Sequence, residues 1–319
     1  MSNTIKAVDT TMQAVFGMGG TEPIRVFQGR ARVPKINEHY AFTPALIKTL
    51  ILWYKMGHDT GIGNLCIFGS HGAGKTEAIR QFAARIGVPV YEDIGSEDRV
   101  YADFIGMYLP TADGTKFQES MLLRSMRDPG SIYLLNEIDK MSPKTSSDLH
   151  NLLDTGTIEN CYNGDVIAAA PGWRLAATAN TNGSGDKSGQ YIGTKPMNIA
   201  TVSRFRWIKT DYLSEQSEVK ILTSISEIPE IIAQQMVNFA RATRAMYQDQ
   251  AIRSLMTTRE VIAWALLAKT VKTSPSINSL QGCLDMTFMS TLSVRDRDAL
   301  SKTFQDIFGA PFVGMPTSN

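Results

Sequence analysis

Cysteine is scarce in this chain: three residues in 319, Cys66, Cys161 and Cys283, widely separated and odd in number. That spacing excludes a disulfide framework and a zinc site of paired cysteines, and it suits a reducing compartment. Charge of one sign is also lacking. Lysine and arginine total 32 against 31 aspartates and glutamates, a net charge of +1. Bulk charge therefore gives no sign of a nucleic-acid or membrane-surface binder. No apolar run approaches the length that spans a bilayer. The opening MSNTIKAVDTTMQAVFGMGG lacks the basic-then-apolar pattern of a secretion signal, so the chain reads as cytoplasmic. His39, His58, His71 and His150 are scattered without metal-ligand spacing. What is present, 43% hydrophobic and 20% charged residues, is the composition of a globular protein with room for two domains.

Residues 1–30 read as an N-terminal arm, or a short packing helix. FTPALIKTLILWYKMG, from Phe42 to Gly57, has Thr43 as N-cap, Pro44 at the first helical position and apolar residues at three- and four-residue steps, so it predicts a half-buried helix. Leu65–Phe68, Val88–Tyr91, Ile132–Leu135, Arg174–Thr178 and Phe205–Thr210 read as strands, with helices over Thr76–Ile86 and Lys144–Leu153. Residues 101–120 look like an insertion turning at Asp113-Gly114, and 157–169 like a hairpin turning at Asn163-Gly164. Strands separated by helices predict an α/β domain with a parallel sheet covered on both faces, over residues 31–212. From 213 to 319 the periodicity is helical, with Thr257–Thr270 a clear amphipathic helix, which predicts a small all-helical second domain.

GSHGAGKT fits G-x-x-x-x-G-K-[ST], follows an apolar strand and opens a helix. Gly69, Ser70, His71, Gly72, Ala73, Gly74, Lys75 and Thr76 would wrap a phosphate chain. Glycine lets the backbone approach closely, and the helix N-terminus supplies positive potential. Lys75 would reach the terminal phosphates of ATP, and Thr76 would bind Mg²⁺. In SIYLLNEIDK, four apolar residues lead to Asn136 and Glu137. A carboxylate at such a strand end normally serves Mg²⁺ and the following Glu activates water. Here Asn136 stands at the metal position without charge, and Glu137 is the candidate base. A third strand, RLAATAN, ends in Asn180, which can orient water or simply end a strand in a turn.

Together these strand ends resemble the AAA+ ATPases, and more narrowly their MoxR branch. NEIDKMSPKTSSDLHNLLDTGTIE is similar to that branch's DEINR-x-x-P-K-x-Q-x-x-L-L-x-x-M-E-E segment. ATANTNGSGDKSGQYIGTKPMN, Ala177–Asn198, and VPKINEHYAF upstream of the phosphate loop resemble the ATPase subunit of aerobic cobaltochelatase. The likeness covers roughly residues 33–270. It implies a P-loop nucleotide domain followed by a helical lid, with ATP and Mg²⁺ as cofactors. It implies that Arg204, in Ser203–Phe205, is an arginine finger acting on a neighbour's nucleotide, with Arg206 a second candidate. In Thr257–Glu260 it makes Arg259 a sensor arginine acting in cis. It further implies a homo-oligomeric ring, hexameric by family resemblance, that hydrolyses ATP and remodels a partner protein, in some members one with a von Willebrand factor A domain. Residues 104–117 and 157–169 would face the pore or the partner. Asn136 departs from the pattern and opens an alternative, a nucleotide-gated scaffold with little hydrolysis. A DNA-acting AAA+ protein is a third reading, which the near-neutral charge disfavours.

Overall fold

A computed structural model describes residues 6–18, 20–56, 63–186, 193–271 and 277–313. Contacts divide the chain into two units: residues 1–38, 42–70 and 74–210, and residues 39–41, 71–73 and 211–319.

In the first unit, strands β1 (Lys6–Thr11) and β2 (Pro23–Gln28) pair antiparallel around the short helix α1 (Met12–Phe16). The segment read as an arm or packing helix thus also holds a strand pair. Phe16, 8% exposed, is anchored by stacking on Phe82 at 5.8 Å. Helix α2 (Pro44–Met56) begins as expected, with the Leu46 amide donating to Thr43 Oγ1 at 3.3 Å. Then come β3 (Asn64–Gly69), α3 (Lys75–Ile86), β4 (Val90–Ile94), α4 (Tyr101–Ile105), the hairpin β5 (Gly106–Thr111) and β6 (Gly114–Glu119), α5 (Met121–Met126) and β7 (Ile132–Asn136). Helices α6 (Pro143–Asp148) and α7 (His150–Thr155) stand where one helix was expected. Ser146 and Ser147 donate back to the carbonyls of Ser142 and Pro143, a competition that weakens a continuous helix. The hairpin β8 (Thr157–Glu159) and β9 (Val166–Ala168), β10 (Arg174–Ala179), α8 (Ile199–Val202) and β11 (Arg206–Thr210) complete the unit.

The central sheet is parallel, in the order β11-β3-β10-β7-β4. Burial is nearly continuous along β3, β7 and β10, as strands covered on both faces require. Cys66, Tyr133, Leu135, Leu175 and Ala177 meet Leu122, Leu123, Leu152 and Leu153 on one face, while α3 packs across β3, β7 and β10 on the other. Strand order reverses at β3, so the carboxyl ends of β3, β10 and β7 form the natural ligand crevice of an open α/β sheet.

The second unit is helical: α9 (Glu215–Ser226), α10 (Glu230–Gln248), α11 (Thr258–Val271), α12 (Ile277–Thr287) and α13 (Val294–Phe308). Its core centres on Phe239, with Trp264 and Phe304 at 5.9 and 6.1 Å. A buried ion pair sits inside it. Arg244 donates to both Glu218 oxygens at 2.8 and 2.9 Å, and Thr258 Oγ1 donates to Glu218 at 2.6 Å. Removing one partner would leave a buried charge uncompensated. Glu218→Ala is expected to destabilise this unit by about 3–5 kcal/mol, read by urea unfolding of the full chain.

Candidate active site

Strand β3 delivers the chain to Gly69, which has φ +143°; a Cβ there would come within 1.9 Å of the Thr210 carbonyl oxygen. Only glycine lets β3 and β11 lie this close at the strand end. Gly74, at φ 80° and ψ 19°, then opens α3 in the left-handed region. The amides of the first turn lack intrahelical acceptors and point their positive end outward.

The side chains of the sequence motifs are wired together within the first unit. Lys75 Nζ donates to the carbonyls of Gly69 and Ser70 at 2.7 and 2.9 Å and to Asn180 Oδ1 at 3.1 Å. Burial pulls the Lys75 pKa down from 10.5 to about 8, against the opposing charges of Asp139 and Glu137. Thr76 Oγ1 donates to Asn136 Oδ1 at 2.6 Å, and Thr178 Oγ1 reaches the same oxygen at 3.2 Å. Thr178 in turn accepts the Glu137 amide at 3.1 Å. Glu137 itself sits in the left-handed region at φ 57°, a conformation that is costly for a residue with a side chain and that clusters at functional sites. Its Oε2 is paired with Lys140 Nζ at 2.6 Å.

Sequence reasoning missed Asp139. It is fully buried, and its Oδ2 accepts the Asn180 and Thr181 amides at 2.8 and 3.0 Å. Its only signal was a charged residue three positions beyond Asn136. Arg204 is not brought to this cluster. It donates to both oxygens of Asp154 at 2.8 and 2.7 Å and to the Ala200 carbonyl at 2.7 Å. Arg206 is exposed on the edge strand and donates to the carbonyls of Ser203 and Phe205. Arg259 is exposed in the first turn of α11, in the second unit. Tyr108 and Phe117 of the insertion and Tyr162 of the β8–β9 hairpin make a mutual aromatic cluster, with Tyr108 52% exposed. Of the Gly183–Gly189 loop, Gly183 to Asp186 are placed, with Ser184 bridged to Pro196; Lys187 to Gly189 lie outside the described residues, as does His58.

Thr76 and Asn136 offer two neutral oxygens side by side, a donor set suited to a hydrated Mg²⁺ that takes its remaining ligands from phosphate and water. Among the described residues, no group of His, Cys, Asp or Glu side chains could cage a metal by itself. No helix among them is long and apolar enough to cross a membrane.

Residues 64–205 match the AAA domain of the dynein-related subfamily, and residues 218–309 match the CbbQ/NirQ/NorQ C-terminal family. The denitrification regulatory protein NirQ of Pseudomonas aeruginosa is 30% identical over 202 residues, which is 62% of this chain and 74% of that protein. The chain belongs to the MoxR branch of the AAA+ ATPases. Within that branch it is CobS-like: the aerobic cobaltochelatase subunit CobS of a Sinorhizobium species is 26% identical over 315 residues, covering 94% of this chain and 91% of that one. Among solved structures, a RuvB mutant of Thermotoga maritima aligns with a TM-score of 0.56 at 14% identity, over 86% of this chain and 81% of that one, a likeness of fold. An AAA+ fold is a nucleotide-binding fold.

Proposed function

We propose that this chain hydrolyses Mg²⁺–ATP in a ring of like subunits, six by family resemblance, and uses the cycle to remodel a partner protein, chelatase-like and with a von Willebrand factor A domain in the partner. The observation that carries the reading is the joining of three strand ends through Lys75–Asn180 and Thr76–Asn136. Similarity to a subunit of aerobic cobaltochelatase over nearly the whole chain supports work within a larger assembly. The first unit acts as the nucleotide domain and the second as its lid.

In this reading Lys75 neutralises the terminal phosphates, and Thr76 with Asn136 would hold Mg²⁺. When bound, the ion supplies charge neutralisation across the phosphate oxygens. Glu137 keeps Oε2 on Lys140, which leaves Oε1 to accept a proton from the attacking water. Asn180 orients that water. Arg204 leaves Asp154 to act across a subunit boundary, and Arg259 acts from the lid.

Steady-state phosphate release by the purified chain with Mg²⁺–ATP tests the proposal. Lys75→Ala is the internal control. It removes charge-assisted contacts of about 1.5–3 kcal/mol and should weaken ATP binding by roughly one to two decades. Release by the parent that Lys75→Ala leaves unchanged contradicts the site assignment. Asn136 favours one alternative, the nucleotide-gated scaffold, because a neutral side chain holds Mg²⁺ less firmly. Tight ATP binding without phosphate release identifies that case.

The lysine also sets a pH dependence. Burial holds its pKa at about 8, below the ordinary 10.5, and a bound phosphate would favour the charged form. Below pH 8 the group is already protonated and affinity is flat. Above it, binding must take up a proton, so ATP affinity should fall by up to about tenfold per pH unit. Calorimetry in buffers of different ionisation heat should show the proton uptake appear above pH 8 and be absent at pH 7.

A further inference from the structure

Asp139 is the most anomalous group in the first unit. It is 0% exposed, and its Oδ1 has no hydrogen-bond partner. No lysine or arginine among the described residues forms an ion pair with it. A buried carboxylate with an orphaned oxygen is costly unless a cation offsets it. Its other oxygen holds the turn that carries Asn180, through the Asn180 and Thr181 amides and, at 3.4 Å, Thr181 Oγ1. Asn180 is the side chain that meets Lys75. The strand end three residues earlier, where the charge is ordinarily found, is neutral Asn136.

We propose that Asp139 is a positioning residue that replaces the missing strand-end charge: it fixes the Asn180 turn and supplies, from beneath it, the negative potential that Lys75 and a Mg²⁺–nucleotide need. A further observation agrees with this. The neutral Asn136 organises two hydroxyls, accepting from Thr76 and Thr178, a job that needs an oxygen and no charge. Charge and hydrogen-bond geometry, usually combined in one side chain, are here divided between two. The inference rests on the nucleotide-site reading above but does not need turnover to be tested.

The test is a double-mutant cycle in the full chain with Asn136→Asp, Asp139→Asn and the double variant Asn136→Asp/Asp139→Asn. Two readouts are taken: the Mg²⁺ concentration for half-maximal binding of a fluorescent ATP analogue, and phosphate release. Asp139→Asn keeps an oxygen for the two amides and removes only the charge. It should raise the Mg²⁺ requirement and lower turnover by about 10- to 100-fold, the range seen when an outer group supporting a metal site is lost. Returning the charge at position 136 should recover most of both losses. Parent behaviour of Asp139→Asn overturns the proposal, as does a loss that the double variant fails to recover. If Asp139→Asn does not fold, Asn136→Asp alone decides: a tenfold or larger fall in the Mg²⁺ requirement would mean that the charge was missing, and one below threefold that it was already present. A parent chain that binds Mg²⁺–ATP yet releases no phosphate defeats the hydrolase reading and leaves the binding cycle intact as a test of Asp139.

Discussion

Glu137→Gln is expected to leave ATP bound and to lower phosphate release by about two to four decades. The amide has the shape of the carboxylate but no basic oxygen for the water's proton. The surroundings should survive the change, because Glu137 is positioned through its backbone. Its amide donates to Thr178 Oγ1, and its carbonyl accepts from the Lys140 amide. The left-handed φ of 57° is set by those bonds and tolerates glutamine as it does glutamate. The loss should therefore fall on turnover, with nucleotide affinity and unfolding midpoint near those of the parent. A Glu137→Gln chain that releases phosphate at the parent rate removes Glu137 from the role of base.

Arg204→Ala should produce a loss of comparable or greater size, about 10³-fold or more in turnover, with ATP affinity almost unchanged. Within its own subunit Arg204 holds Asp154 and the Ala200 carbonyl, and neither belongs to the phosphate-loop cluster. Side-chain exposures of 25% for Arg204 and 45% for Asp154 make this a surface pair, worth about 0–1 kcal/mol. Freeing the guanidinium for a neighbouring nucleotide therefore costs little. Loss of ATP affinity in Arg204→Ala equal to that in Lys75→Ala would instead place the arginine in its own subunit's site.

The strand, glycine turn and helix around Gly69–Thr76 were legible in the sequence because they are local and follow one another within a few residues. The parallel sheet was legible for a similar reason, since strands buried on both faces are written as unbroken apolar runs. Asp139 was hidden because its meaning comes from the Asn180 turn, 41 residues away. The Arg204–Asp154 pair, separated by 50 residues, is equally invisible to any local pattern. The N-terminal strand pair escaped because β1 is mostly exposed and carries no alternation; what anchors the segment is Phe16 stacking on Phe82. The division of one expected helix into α6 and α7 depends on serine hydroxyls turning back to the backbone, which periodicity does not register.

The central claim is that each active site is completed between subunits, and mixing two inactive variants tests it most directly. Lys75→Ala subunits lack a working phosphate loop but keep Arg204. Arg204→Ala subunits keep the loop but lack the finger. Co-assembled, they should form some interfaces with an intact loop from one chain and an intact arginine from the other, and phosphate release should rise above that of either variant alone. A mixture shown to co-assemble that stays no more active than its separate components would contradict the shared site.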